Sequence, residues 1–115
     1  MKRTVLTALL AGALALTAFS AQAGEKLADQ HVKLGMQCQS CHGPDMKNPQ
    51  TPTIDNCTGC HNLDQLVAST KNIKPTNPHV SPHYSNTLDC TNCHLMHQES
   101  ENFCDQCHQF GYKVP

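Results

Sequence analysis

The sequence predicts a few short helices and irregular loops, with almost no β-sheet, wrapped round something other than a packed aliphatic core. Three observations lead there. The chain has 115 residues with no Trp, three Phe and two Tyr. That is room for one domain but too few large apolar side chains to stabilise it by burial alone. It carries eight Cys and eight His, and only 15% of its residues are charged. Prolines break the long connections, and no segment shows the apolar–polar alternation of a half-buried strand. An ordinary α/β enzyme domain is excluded.

The N-terminus reads as a targeting segment. Lys2 and Arg3 precede an apolar run over residues 5–19, and Ala21-Gln22-Ala23 follows as a small-residue cleavage pattern. This is the form of a secretory signal peptide over residues 1–23, cut after Ala23. The run is short for a membrane anchor, and no later stretch is apolar enough to span, so no stable membrane insertion is expected. The remaining domain is 24–115. It keeps six Lys against nine Asp and Glu, a formal charge of −3 with His neutral. Without a basic patch, nucleic acid is not an expected partner.

Every cysteine belongs to one of four C-x-x-C-H motifs. They are Cys38, Cys41 and His42; Cys57, Cys60 and His61; Cys90, Cys93 and His94; Cys104, Cys107 and His108. This is the attachment signature of c-type haem. Two thiols at this spacing reach the two vinyl groups on one porphyrin edge, and the next residue then lies under the ring with its imidazole at the iron. Three other readings compete. Disulfides between pairs suit an exported chain but give no reason for a histidine after every pair. Disulfides within a pair, of the thioredoxin type, usually occur singly and not four times. Zinc also uses Cys pairs with His, but four pairs supply two tetrahedral sites at most and leave four histidines over.

The other four histidines are His31, His79, His83 and His97. Low-spin haem iron takes two axial ligands. One distal histidine for each of four proximal ones makes bis-histidine ligation the first choice throughout. Methionine is the alternative distal ligand. Met36 stands too near Cys38 to reach the opposite face, and Met96 suits packing at a haem edge. A bis-histidine iron has no open position, which argues for electron transfer over catalysis.

Residues 25–34 read as a helix with Leu27, Ala28, His31 and Leu34 on one face, ended by Gly35. Residues 43–55 read as a loop containing Pro44, Pro49 and Pro52. Leu63, Leu66 and Val67 suggest one or two helical turns. Residues 70–86 read as a second loop, in which Pro75, Pro78 and Pro82 stiffen the segment bearing His79 and His83. His97, three residues after His94, cannot easily wrap round to the far face of the same haem and is expected at a neighbouring one. The motif spacings of 19, 33 and 14 residues are too irregular for a solenoid. The fold class is therefore a small multihaem cytochrome c, a few short helices and loops wrapped round four haems.

The motifs, the His94-x-x-His97 pair, the close His79 and His83, and the early His31 together resemble the tetrahaem cytochrome domain of the periplasmic flavocytochrome c fumarate reductases and the small tetrahaem cytochromes c. The resemblance covers nearly all of the domain. It implies that His31, His79, His83 and His97 are distal ligands, that the protein works in the periplasm in anaerobic respiration, and that it carries electrons from a quinol-linked donor to terminal reductases. His79 and His83 are four residues apart where the flavocytochrome pattern has three. The chain also has no dinucleotide-binding glycine pattern, so fumarate reduction does not carry over. The expected role is an electron carrier, not an enzyme. The alternative is the electron-input subunit of a separate flavoprotein. A catalytic multihaem protein would need a five-coordinate haem, and a metal-storage module would lack a haem spectrum.

Overall fold

In the computed structural model, residues 25–115 are described; the signal peptide expected over 1–23 lies outside them. Four short helices come first. They are α1 (Leu27–Lys33), α2 (Gln39–His42), α3 (Ile54–Thr58) and α4 (Leu63–Thr70). Two 3₁₀ turns follow, Cys90–Asn92 and Phe103–Gln106. Among the described residues the only β feature is an isolated antiparallel bridge between Ser81 and Ser85.

Each helix ends for a local reason. Helix α1 closes in a Schellman turn: the Gly35 and Met36 amides donate to the Val32 and His31 carbonyls at 2.9 and 3.1 Å, and Gly35 sits at φ +90°. Helix α4 starts where the Asn62 side chain accepts from the Gln65 amide at 2.9 Å. Two boundaries differ from the sequence reading. Helix α3 begins at Ile54, inside the expected loop, because Thr53 N–H donates to Asn56 Oδ1 at 2.8 Å and Ile54 N–H to Asp89 Oδ1 at 2.7 Å. Helix α4 runs to Thr70, whose hydroxyl folds back on the Leu66 carbonyl.

Among the described residues none is buried, polar or apolar. Polar ties join the segments instead. The Ala28 amide donates to the Met96 carbonyl at 2.8 Å, and Lys26 pairs with Glu99, so α1 is fastened to the stretch between the third and fourth motifs. Tyr112 Oη donates to the Thr76 carbonyl at 2.7 Å and ties the C-terminal segment to the second proline-broken loop. Large apolar side chains stay exposed: Leu34 is 83% and Val32 55% accessible. A polypeptide folded on its own aliphatic groups would cover them.

Gly43 stands directly after the first motif at φ 78°, ψ 174°, a region open essentially to glycine alone. A Cβ there would also meet Gln50 Cδ at 3.3 Å. Gly43→Ala is expected to destabilise the haem-loaded protein by about 1–3 kcal/mol. The check is a lower thermal midpoint with all haem retained.

Candidate functional site

The four motifs share one backbone pattern. In each, the carbonyl of the first cysteine accepts from the amide of the second cysteine at 3.1–3.2 Å and from that of the histidine at 2.8–3.0 Å. A single tight turn thus sets the two thiols and the imidazole on one side of the chain. The spacing creates this: residues three and four apart are neighbours on a turn. All eight cysteines are free thiols. Burial, then the thiols of Cys90 and Cys41, push the Cys57 thiol up to about 11; burial, then Cys93, raises that of Cys104. At neutral pH these two sulfurs are protonated in the unliganded chain. Helix α3, which carries Cys57, packs against the 3₁₀ turn that begins at Cys90, so the second and third motifs adjoin.

Four pairs of histidine rings face one another across short gaps. His31 and His61 have ring centres 6.1 Å apart, His42 and His97 5.8 Å, His79 and His94 6.4 Å, and His83 and His108 6.0 Å. The interplanar angles are 71°, 18°, 1° and 26° in the same order. Every pair joins one motif histidine to one histidine from outside the motifs. Ordinary aromatic packing also occurs at such separations, but it has no reason to sort eight rings in this way. With metal–nitrogen bonds of about 2.0 Å, and about 1.1 Å from ring nitrogen to ring centre, two imidazoles on opposite sides of one ion stand about 6 Å apart. Among the described residues no three His, Cys, Asp or Glu side chains gather as a metal-binding group; the imidazoles come in twos.

Several rings are fixed by their second nitrogen. His31 Nδ1–H donates to the Leu27 carbonyl at 2.7 Å and His42 Nδ1–H to the Gln50 carbonyl at 2.8 Å. A carbonyl only accepts, so Nδ1 carries a proton in both rings, the tautomer that in neutral imidazole leaves the lone pair on Nε2. His79 Nδ1 lies 3.0 Å from Thr70 Oγ1. Burial holds His79 and His94 below the ordinary imidazole range, and for His79 the neighbouring His94 adds to this. Both are therefore neutral at pH 7, the form in which imidazole binds a metal.

Local structure presents each of the other histidines. His31 sits on α1. His83 lies in the turn closed by the Ser81–Ser85 bridge, where both amides exchange bonds at 2.8–2.9 Å. His97 lies against His42 of the first motif, while His94, three residues before it, faces His79. Phe110 stacks beside His108 with ring centres 4.6 Å apart, held by Asp105 Oδ1, which accepts from the Phe110 amide at 3.0 Å. An open cavity of about 300 Å³ lies by the second motif, lined by Cys60, His61 and the Leu66 face of α4. Sequence reasoning missed Thr70, Asn77, Asp89 and Asn102. Only Asn102, two residues before Cys104, carried a local signal, that of a turn-capping side chain; its Oδ1 accepts from the Cys104 amide at 3.1 Å.

Fold and site together define a c-type cytochrome with more than one haem, a protein that carries electrons. The chain belongs to the cytochrome c3 family, whose model matches residues 30–109. It is similar to the acrylate reductase cytochrome subunit of Shewanella woodyi, 36% identical over 115 residues, which cover 97% of this chain and 94% of that protein. A probable fumarate reductase, Ifc3, of Shewanella frigidimarina is 34% identical over 86 residues, 72% of this chain and 14% of that protein. A fumarate reductase (cytochrome) of the same organism is 36% identical over 118 residues, 100% of this chain and 19% of that protein. The chain thus matches nearly the whole of the first relative and less than a fifth of each of the other two.

Proposed function

We propose that the protein holds four haems c and passes electrons in the periplasm from a quinol-linked donor to a terminal reductase. The observation that carries this reading is the one-to-one sorting of the histidines. Cys38 and Cys41 attach the haem held by His42 and His97. Cys57 and Cys60 attach that of His61 and His31. Cys90 and Cys93 attach that of His94 and His79. Cys104 and Cys107 attach that of His108 and His83.

Haem iron supplies reversible one-electron exchange. The chain's own residues do the rest. The thiols would anchor the groups, and one motif histidine and one histidine from outside the motifs would hold each iron. Histidine on both sides leaves no position for substrate and favours lower potentials than His/Met ligation. One observation favours a more specific role, as the electron-input subunit of a separate reductase: the relative matched over nearly its full length is itself named a cytochrome subunit. A flavin-containing protein that co-purifies with this chain would support that role.

The test is an intact mass with an optical spectrum on protein from the periplasm. Residues 24–115 plus four covalent haems, and a wholly low-spin oxidised spectrum, are expected. A mass equal to the bare polypeptide, or a high-spin band, would count against the assignment.

A further inference from the structure

Helix α4 ends on a hydroxyl with four oxygen or nitrogen neighbours. Thr70 Oγ1 lies 2.6 Å from the Leu66 carbonyl, 2.8 Å from Asn77 Oδ1, 3.0 Å from His79 Nδ1 and 3.5 Å from the Val67 carbonyl. The Asn77 amide cannot be turned round. Its Nδ2 donates to the Val67 carbonyl at 2.8 Å, and its Oδ1 accepts from the His79 amide at 3.0 Å. Three of the hydroxyl's neighbours are therefore pure acceptors. A hydroxyl has one proton. With that proton on a carbonyl oxygen, only a lone pair is left for the histidine. His79 Nδ1 then carries a hydrogen and donates it to Thr70, and in the neutral ring Nε2 is left bare.

We propose that Thr70 is a positioning residue for the His79 imidazole, and that it sets the reduction potential of the haem attached through Cys90 and Cys93. The inference rests on the pairing of His79 with His94 given above. Three physical links support it. The bond fixes the tautomer that leaves Nε2 free for a metal. Asn77 bonds α4, the hydroxyl and the backbone of His79 together, so the ring is held by a network and not by its loop alone. An acceptor at Nδ1–H raises the electron donation of the ring to a metal at Nε2, which stabilises the more positive oxidised state. His31 and His42 have main-chain carbonyls in this place, which side-chain substitution does not remove. At His79 the acceptor belongs to a side chain, so sequence can tune it.

The experiment is a spectroelectrochemical titration of the haem-loaded protein, with electron paramagnetic resonance of the oxidised form. Thr70→Val keeps the shape and removes the hydroxyl. One of the four reduction steps should move to higher potential, and one low-spin signal should change. Thr70→Ala, which also lacks the hydroxyl, should move the same step. Thr70→Ser should restore both readouts to those of the parent. No movement in either hydroxyl-free variant overturns the proposal. So does a common displacement of all four steps, or a Thr70→Ser protein that behaves like Thr70→Val, since either would reflect packing. His79→Ala tests the underlying pairing separately. It should open the haem on Cys90 and Cys93 to carbon monoxide. If it opens no haem, the ligand assignment fails; if it does and the Thr70 variants move nothing, only the role of Thr70 fails.

Discussion

With four haems held as proposed above, His97→Ala is expected to leave one of them with a single imidazole, the one on Cys38 and Cys41. His97 lies only three residues from His94, too near to reach the far face of the same haem. Its ring stands 5.8 Å from that of His42, whereas His94 faces His79 at 6.4 Å. Loss of the imidazole leaves a five-coordinate or weakly liganded iron. The oxidised spectrum should gain a high-spin component from a quarter of the haem. The reduced protein should take up one carbon monoxide per molecule, where the parent takes none. Nuclear Overhauser contacts from the altered haem should lead to the thioether protons of Cys38 and Cys41. A carbon monoxide complex on the haem of Cys90 and Cys93 would reassign His97, and four unaltered low-spin haems would remove it from the ligand set.

The second large effect concerns folding. Chain made without haem is expected to show little helix and no cooperative melting. Isolated helices below about 12–15 residues are marginal in water, and the longest among the described residues has eight. Tertiary burial normally makes up the deficit, but among the described residues no side chain is buried. The scattered polar ties, such as Ala28 to Met96 and Tyr112 to Thr76, close long loops at an entropic cost they cannot offset alone. Circular dichroism of the unloaded chain should resemble a coil, and that of the loaded chain should melt in one transition, because ligand binding supplies the folding free energy. A haem-free chain with the helix content of the loaded protein would contradict this account.

The parts of this architecture that were legible in the sequence are those that covalent chemistry or local turns dictate. The C-x-x-C-H motifs could be read directly, because vinyl spacing and axial reach leave little freedom. Helix α1 was legible from the spacing of Leu27, Ala28 and His31 and from Gly35 beyond its end. The partner of each distal candidate was not. Which ring meets which depends on how the loops cross in space, and His97 carries no local mark of its place beside His42. Thr70 was hidden for the same reason: its bond to His79 crosses from a helix to a loop. The early start of α3 depends on Asp89, 35 residues away.

The four histidine pairs also overlap along the chain. His31 reaches forward to His61, His42 to His97, His79 to His94 and His83 to His108. Every peptide bond between residues 31 and 108 lies inside at least one of these spans. A protease that nicks an exposed loop, such as the one between Thr70 and His79, would therefore separate no fragment. Iron gripped from both sides would hold the severed pieces together, much as a rivet holds a cracked plate.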